Sequence, residues 1–240
     1  MEIRRFFVEP SDINGTFVTL TGDEFLHMVK VLRYKVGFKA IVCANDGVER
    51  LCTVKEIGKD FATLVIDKET AVDVKKAHVT LFAGLLKNNK LDFVFQKAVE
   101  LGVDKIVPFV SANCAETKFS QDRAEKIALE AAKQCGSAYL SKVGALENFD
   151  AVLSSFKDFD TVLFAYENEK KNRIKDCLYK GKNIALVVGP EGGFTQEETD
   201  KAKECGATII TLGRRILRAE TASIVSCALL LDHLGELDYE

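Results

Sequence analysis

Several things are scarce in this sequence. Only 3 prolines occur in 240 residues, and a composition of 47% hydrophobic and 29% charged residues excludes disorder over most of the chain. No stretch approaches the ~20 uninterrupted apolar residues that span a bilayer. The opening MEIRRFFVEP has two arginines but no apolar run behind them, so neither a membrane helix nor a secretory leader is expected. Charge of one sign is missing too: 33 Lys plus Arg against 36 Asp plus Glu leave a formal charge of -3, which excludes holding nucleic acid by bulk charge. The 7 cysteines are odd in number, scattered, and free of any Cys-x-x-Cys or Cys/His grouping. That excludes a disulfide framework and a metal knuckle, and reads as reduced thiols in a cytoplasmic chain. The length is enough for one or two domains with a real core, and two is the working count.

Two rhythms follow one another. From residue 4 to about 67, short runs such as GTFVTL, FKAIVCAND, RLCTVKEIG and FATLVIDKE are punctuated by Asn14-Gly15, Asn45-Asp46-Gly47 and Gly58, the pattern of a small β-barrel. Residues 21–34 break it: Phe25, Met28, Val29 and Leu32 recur at helical spacing and Thr21 and Glu24 have capping-box spacing, which predicts one inserted helix. The polar stretch 68–76 marks the boundary, giving domains 1–72 and 73–240. Beyond it, strands and helices alternate. HVTLFAGL predicts a strand, 90–101 a helix closed by Gly102, and KIVPFV the next strand. A helix near 121–134, strand TVLFAY, a Lys-rich helix near 169–178 and strand NIALVVG continue the series. The class is α/β, with a mainly parallel, helix-covered sheet.

The last third carries the chemistry. The apolar strand 184–188 runs straight into Gly189-Pro190-Glu191-Gly192-Gly193-Phe194, before a helix capped by Thr195 and Glu198. Strand ATIITL then leads to a second loop, Leu212-Gly213-Arg214-Arg215-Ile216-Leu217-Arg218, ahead of a helix starting near Glu220 or Thr221. In an open α/β sheet such loops lie outside the carboxyl ends of strands, where ligands bind, and two of them one strand apart should meet. The first lacks the Lys-Ser/Thr of a P-loop and the G-x-G-x-x-G spacing of a dinucleotide site, so a phosphate cradle is disfavoured.

With these residues in view, LVVGPEGGFTQEE at 186–198 followed by TLGRRILRAETAS at 211–223 resembles the paired signature of the SPOUT methyltransferases, specifically the 16S ribosomal RNA uridine N3-methyltransferase family. HMVKVLR at 27–33, residues 85–109 and KIALEAAKQCG at 126–136 extend the resemblance over nearly the whole chain. It implies a PUA-like RNA-binding barrel followed by a domain whose chain is tied in a deep trefoil knot, a topology otherwise nearly absent from proteins. It further implies a cytoplasmic homodimer that uses S-adenosylmethionine and no metal. The cofactor would sit on Gly189, Pro190, Glu191, Gly192 and Gly193, on Leu212, Gly213, Ile216, Leu217, Arg218 and Thr221, and on a third segment, 163–167, beginning with Leu163 and Phe164.

Methylating uridine at N3 requires loss of an imide proton, so the site must stabilise negative charge on the ring. Arg218, at the junction of loop and helix, is the candidate cation. Glu220 is expected to orient it, and Thr221 to donate to substrate or to cap the helix. For RNA, the candidates are Arg4, Arg5, His27, Lys30 and Arg33 in the first domain, with Lys30 and Arg33 one turn apart on the inserted helix, and Lys87 and Lys97 in the second, which with Lys90 line the first-helix region where the resemblance implies a substrate groove. Residues 75–126 hold nine basic against six acidic residues, so a basic surface is available despite the net charge.

The chain departs from the family pattern in two places. After IVPF the family has Ser-Glu-Arg-Ser or a near variant where this chain has Ser111-Ala112-Asn113-Cys114, and after KQCG the family's Arg and later Pro are replaced by Ser137 and Ser141. Both loops of the signature are intact. The substrate implied is 16S rRNA in an assembled small subunit; the competing readings are a catalytically silent RNA-binding or assembly protein of the same fold, and a methyltransferase for another rRNA or tRNA position.

Overall fold

A computed structural model of the chain describes residues 3–238. It divides into two compact units, one made of residues up to Val74 with Ala132–Leu140, the other of Lys75–Ala131 with the residues from Ser141 onward.

The first unit is built from β1 (Arg4–Phe7), β2 (Ile13–Asn14), β3 (Phe17–Thr21), a short α1 (Gly22–Leu26), β4 (Lys39–Cys43), β5 (Val48–Ile57) and β6 (Phe61–Ala71). These form a six-stranded sheet in the order β1-β4-β5-β6-β3-β2, antiparallel except where β1 runs parallel to β4. Period-two alternation sends Val18 and Leu20 of β3 inward with Phe6, Met28 and Leu64, all fully buried.

The inserted helix differs from its prediction. After α1 the chain widens into a π-type turn (His27–Val31), in which the Leu32 N–H reaches back to the His27 carbonyl at 3.0 Å. Arg33 then takes a left-handed φ of 55°, so Lys30 and Arg33 do not share a helical turn. The Thr21–Glu24 capping box is not made either. Thr21 makes no side-chain cap, and the Glu24 carboxylate accepts the Phe7 N–H, at 3.3 Å, and pairs with the ammonium of Lys133. Glu24 thus satisfies a free donor on the edge strand β1, where an unpaired N–H would otherwise stand open.

The second unit contains β7 (His78–Gly84), α2 (Lys90–Leu101), β8 (Lys105–Val110), α3 (Gln121–Cys135), whose last turn belongs to the first unit, β9 (Lys142–Val143), β10 (Glu147–Asn148), α4 (Phe149–Ser155), β11 (Thr161–Ala165), β12 (Asn183–Val188), α5 (Gln196–Glu204), β13 (Thr208–Ile210) and α6 (Ala219–His233). All seven strands are parallel, in the order β10-β8-β7-β12-β11-β13 with β9 beside β8. β7 leads outward to β8 on one side, whereas β12 pairs with β7 and leads past β11 to β13 on the other. The direction of winding changes between β7 and β12, and the carboxyl ends of the strands open a crevice there.

The buried face of α2 is Leu91, Val94, Phe95, Ala98 and Val99, and Gly102 closes the helix at φ 95°. α6 packs on α2, β7 and β12. The Lys-rich segment 169–178 is not a helix. The Glu169 carboxylate accepts the N–H groups of Lys170 and Lys171 at 2.9 and 2.7 Å, a turn-forming contact that also holds its acid below the ordinary range, and only a 3-10 turn (Ile174–Asp176) remains. Among the described residues no helix is long and apolar enough to cross a membrane.

Candidate active site

The glycine-rich loop, residues 189–194, leaves β12 under tight steric control. A Cβ at Gly84, the last residue of β7, would come within 2.5 Å of the Pro190 nitrogen, and one at Gly189 within 2.9 Å of the Phe194 ring. One at Gly192 would meet Asn113 at 2.8 Å, and Gly193 holds φ 65°. Glycine at these positions is therefore what lets backbone cross backbone. Phe194 anchors the far end: its ring centre lies 4.2 Å from that of Phe164, and it stacks on Phe109 at 6.1 Å and 4°. Burying such a side chain contributes about 2 kcal/mol. α5 then starts with the full capping box, Glu198 N–H to Thr195 Oγ1 at 3.1 Å and Thr195 N–H to Glu198 Oε2 at 2.9 Å.

The segment after β8 holds the same loop from the side. Asn113 Nδ2 donates to the Gly192 and Gly193 carbonyls at 3.2 and 3.3 Å, and the Ala112 N–H donates to Glu198 Oε1 at 2.8 Å. The 111–114 departure from the family pattern is thus a working part of this site.

The arginine loop, residues 212–218, follows β13. Its entry is tied to the β11–β12 connection by the Thr211 N–H, which reaches the Asn172 carbonyl at 2.8 Å. The two loops and the end of β11 enclose a cavity of about 410 Å³. Gly189, Pro190, Glu191, Gly192, Gly193, Leu212, Gly213, Ile216, Leu217 and Arg218 all line it, with Arg214, Arg215 and Lys90. The side chains of Arg214, Arg215 and Arg218 make no hydrogen bond or ion pair among the described residues.

Three expected residues lie elsewhere. Leu163 and Phe164 are fully buried within the sheet, and the wall of the cavity begins with Ala165, Tyr166 and Glu167, where β11 clears its neighbours. Thr221 is exposed on the first turn of α6 and does not line the cavity; the helix starts at Ala219 with Arg218 at its cap position, making no side-chain cap.

Glu220 meets a different partner from the one expected. Its Oε2 lies 3.7 Å from Lys90 Nζ, which is also 3.2 Å from Glu191 Oε1, and Glu191 Oε1 accepts the Lys87 N–H at 3.1 Å. Lys90, expected with Lys87 and Lys97 beside a substrate groove, lines the cavity, and Asn113 is a site residue that the local pattern around it did not mark.

The candidate RNA contacts differ in availability. Lys30, Arg33 and Lys87 are exposed, and Arg4 is exposed with its backbone N–H on the Tyr34 hydroxyl at 3.2 Å. Arg5 has only 9% of its side chain exposed, held between Glu49 Oε1 at 2.7 Å and Cys43 Sγ at 2.9 Å, so its charge is already matched. His27 is half-buried with its ring edge against Phe6, and Lys97 pairs with Glu100 at 2.7 Å. Burial pushes the thiols of Cys52 and Cys227 up to about 12, which leaves these two unreactive.

Comparison with known proteins agrees with this geometry. The model of an RNA methyltransferase domain matches residues 73–231, and that of an RNA methyltransferase PUA domain matches 20–67. Ribosomal RNA small subunit methyltransferase E of Bacillus subtilis is 33% identical over 240 residues, covering 92% of this chain and 93% of that protein. Its namesake in Mesomycoplasma hyopneumoniae is 34% identical, covering 92% and 95%. The crystal structure of ribosomal RNA small subunit methyltransferase E from Neisseria gonorrhoeae bound to S-adenosyl methionine superposes with a TM-score of 0.85 at 26% identity, covering 96% of this chain and 98% of that one. Matched over both units and across the loops that form the cavity, the chain belongs to the ribosomal RNA small subunit methyltransferase E family of RNA methyltransferases.

Proposed function

We propose that this S-adenosylmethionine-dependent 16S rRNA methyltransferase modifies N3 of one uridine, with the small ribosomal subunit as the particle it recognises. The observation that carries the reading is the meeting of the two loops: a glycine-rich backbone on one wall and three unpartnered guanidinium groups on the other. The cavity suits the cofactor. About 410 Å³ lies in the range of small-molecule sites, and main-chain groups beside Gly189, Gly192, Gly193 and Gly213 offer donors and acceptors to a nucleoside edge. The carboxylates of Glu167 and Glu191 tolerate a cation there. When bound, the cofactor supplies a methyl group on a positively charged sulfur.

Arg218 then serves the target base. A guanidinium stays protonated and donates in a planar fork, which suits the carbonyl oxygens of a uracil ring as negative charge builds on it. Lys87, Lys30, Arg4 and Arg33 are positioned for phosphate contacts. The knot expected from the resemblance is part of the proposal; it is supported by the Thr211–Asn172 hydrogen bond, the bridge between Arg173 and Thr211, and the packing of α6 on the 3-10 turn in the β11–β12 connection. A homodimer in the cytoplasm, with domains bounded near residue 72, completes the reading. A catalytically silent relative would rest on the altered 111–114 segment, yet that segment clamps the glycine-rich loop.

The test is nucleoside mass mapping of 16S rRNA from cells with and without the protein, beside calorimetry with S-adenosylmethionine. One 3-methyluridine that disappears with the protein is expected. A different missing nucleoside overturns the N3 assignment, and absence of cofactor binding overturns the enzyme reading.

A further inference from the structure

Glu220 is the second residue of α6, with 15% of its side chain exposed, and its Oε2 is sealed from solvent without a hydrogen-bond partner among the described residues. Its ionic neighbour Lys90 stands at 3.7 Å, beyond hydrogen-bond reach, and is shared with Glu191. A buried carboxylate oxygen without a donor is costly, and folded proteins keep few of them without a use. The other acids of the site are not in this position. Glu191 already accepts from the Lys87 N–H and faces Lys90, while Glu167 is exposed and water satisfies it.

Lys90, which lines the cavity, links this acceptor without a donor to the cavity's cations, whose side chains lack an acceptor among the described residues, among them Arg218, two residues before Glu220. The imide edge of uracil has the complementary pattern. Its N3–H is a donor flanked by two carbonyl acceptors, so the N–H fits the orphan carboxylate oxygen while the carbonyls fit a guanidinium and an ammonium. We infer that Glu220 Oε2 is the base that receives the N3 proton of the target uridine. N3 keeps the electron pair of its broken N–H bond and uses it to take the methyl group, whose former bonding pair stays on sulfur. The proton rests on Glu220 and passes to water that enters once the product leaves.

This inference rests on the N3 reading, and its test separates the two. Single-turnover methylation of small subunits lacking the modification is followed from about pH 6 to about pH 9.5 for the wild-type protein, Glu220→Gln and Glu220→Asp, with S-adenosylmethionine affinity measured by calorimetry. The charged group nearest Glu220 over that range is Lys90 from α2, which also faces Glu191 of the glycine-rich loop; Arg214, Arg215 and Arg218 line the cavity that Lys90 lines too. Glu220→Gln is expected to bind the cofactor within about threefold of wild type and to lose about 10²–10⁴ in rate near neutral pH. Its rate then recovers about tenfold per pH unit as the imide ionises unaided, and Glu220→Asp, which keeps a carboxylate, retains part of the neutral-pH rate. An unchanged rate, or a loss that does not recover with pH, overturns the inference. So does a fall in cofactor affinity that matches the fall in rate, which would place Glu220 on the cofactor. If Glu220→Gln does not fold, Glu220→Asp decides: a rate that is reduced but independent of pH over this range, as for an ionised carboxylate base, supports the inference, and one that rises about tenfold per pH unit, as if no carboxylate served, overturns it. A wild-type product other than 3-methyluridine fails the N3 reading, whereas 3-methyluridine with an indifferent Glu220→Gln fails this inference alone.

Discussion

The first unit and the arginine loop of the cavity use their cations in opposite ways. In the first unit, Arg50 lies between Asp46 at 2.6 Å and Glu69 at 3.0 Å, Arg5 pairs with Glu49, and Lys133 of α3 pairs with Glu24. The Arg50 guanidinium holds the Asp46 acid below its ordinary range, chiefly by hydrogen bonding. At the end of the C-terminal sheet, Arg214, Arg215 and Arg218 border the cavity with no partner among the described residues. A cation with its carboxylate in place fastens strands together and has little field left for a ligand. One without a partner contributes little to stability and is free to meet charge that develops during a reaction. Proximity to an acid in the sequence does not predict which group a cation joins, since Arg218 and Glu220 are neighbours that the structure does not pair.

Substitutions on each side sharpen the contrast. Arg218→Ala is expected to lower methyl transfer by about 10²–10³, or about 3–4 kcal/mol of transition-state stabilisation, with cofactor affinity nearly unchanged. Its melting temperature should stay within the change that a surface substitution of about 0.5 kcal/mol brings; a large melting shift with activity intact would reverse the assignment. Lys133→Met acts on the other side. It leaves Glu24, only 16% exposed, without its ammonium, at a cost of about 2–3 kcal/mol, read as a lower denaturation midpoint with unchanged cofactor affinity. The smallest effect belongs to Asn113→Ala, which removes both side-chain bonds to the glycine-rich loop. Calorimetry should show cofactor affinity about tenfold weaker, near 1.4 kcal/mol, while the rate at saturating cofactor holds.

The parts of the fold that were legible in the sequence are those set by neighbours along the chain. The α2 face, the Gly102 stop and the Thr195–Glu198 box all follow from spacing within four or five residues, and all are present. The two signature loops were legible as ligand loops for the same reason. Partners far apart in the chain were not. Lys90 and Glu220 are brought together by α2 packing on α6, and Asn113 reaches Gly192 across 79 positions. Glu24 had a local role available, the capping box, and lost it to a donor from β1 and a lysine from α3. The segment 163–167 was read as one ligand surface because sequence does not mark where a strand reaches the cavity; Phe164 does not line it, whereas Ala165, also buried, does. Residues 132–140 joined the first unit although they follow the second unit's opening βαβ, a return that no local signal announces.

The pairing of β7 with β12 has a consequence for synthesis. β7 finds β8 on one edge after a short helix, but its other edge waits for Asn183–Val188, about a hundred residues later. A nascent chain emerging from the ribosome therefore carries an apolar, half-paired central strand for most of the time the second unit takes to be made. The unit gains its central pairing and its ligand loops nearly together, because the strand that completes the sheet is the one that leads into the glycine-rich loop. A chain stalled before residue 183 would thus be both incomplete as a sheet and blind to the cofactor, so cofactor binding reports completed folding as well as competence for catalysis.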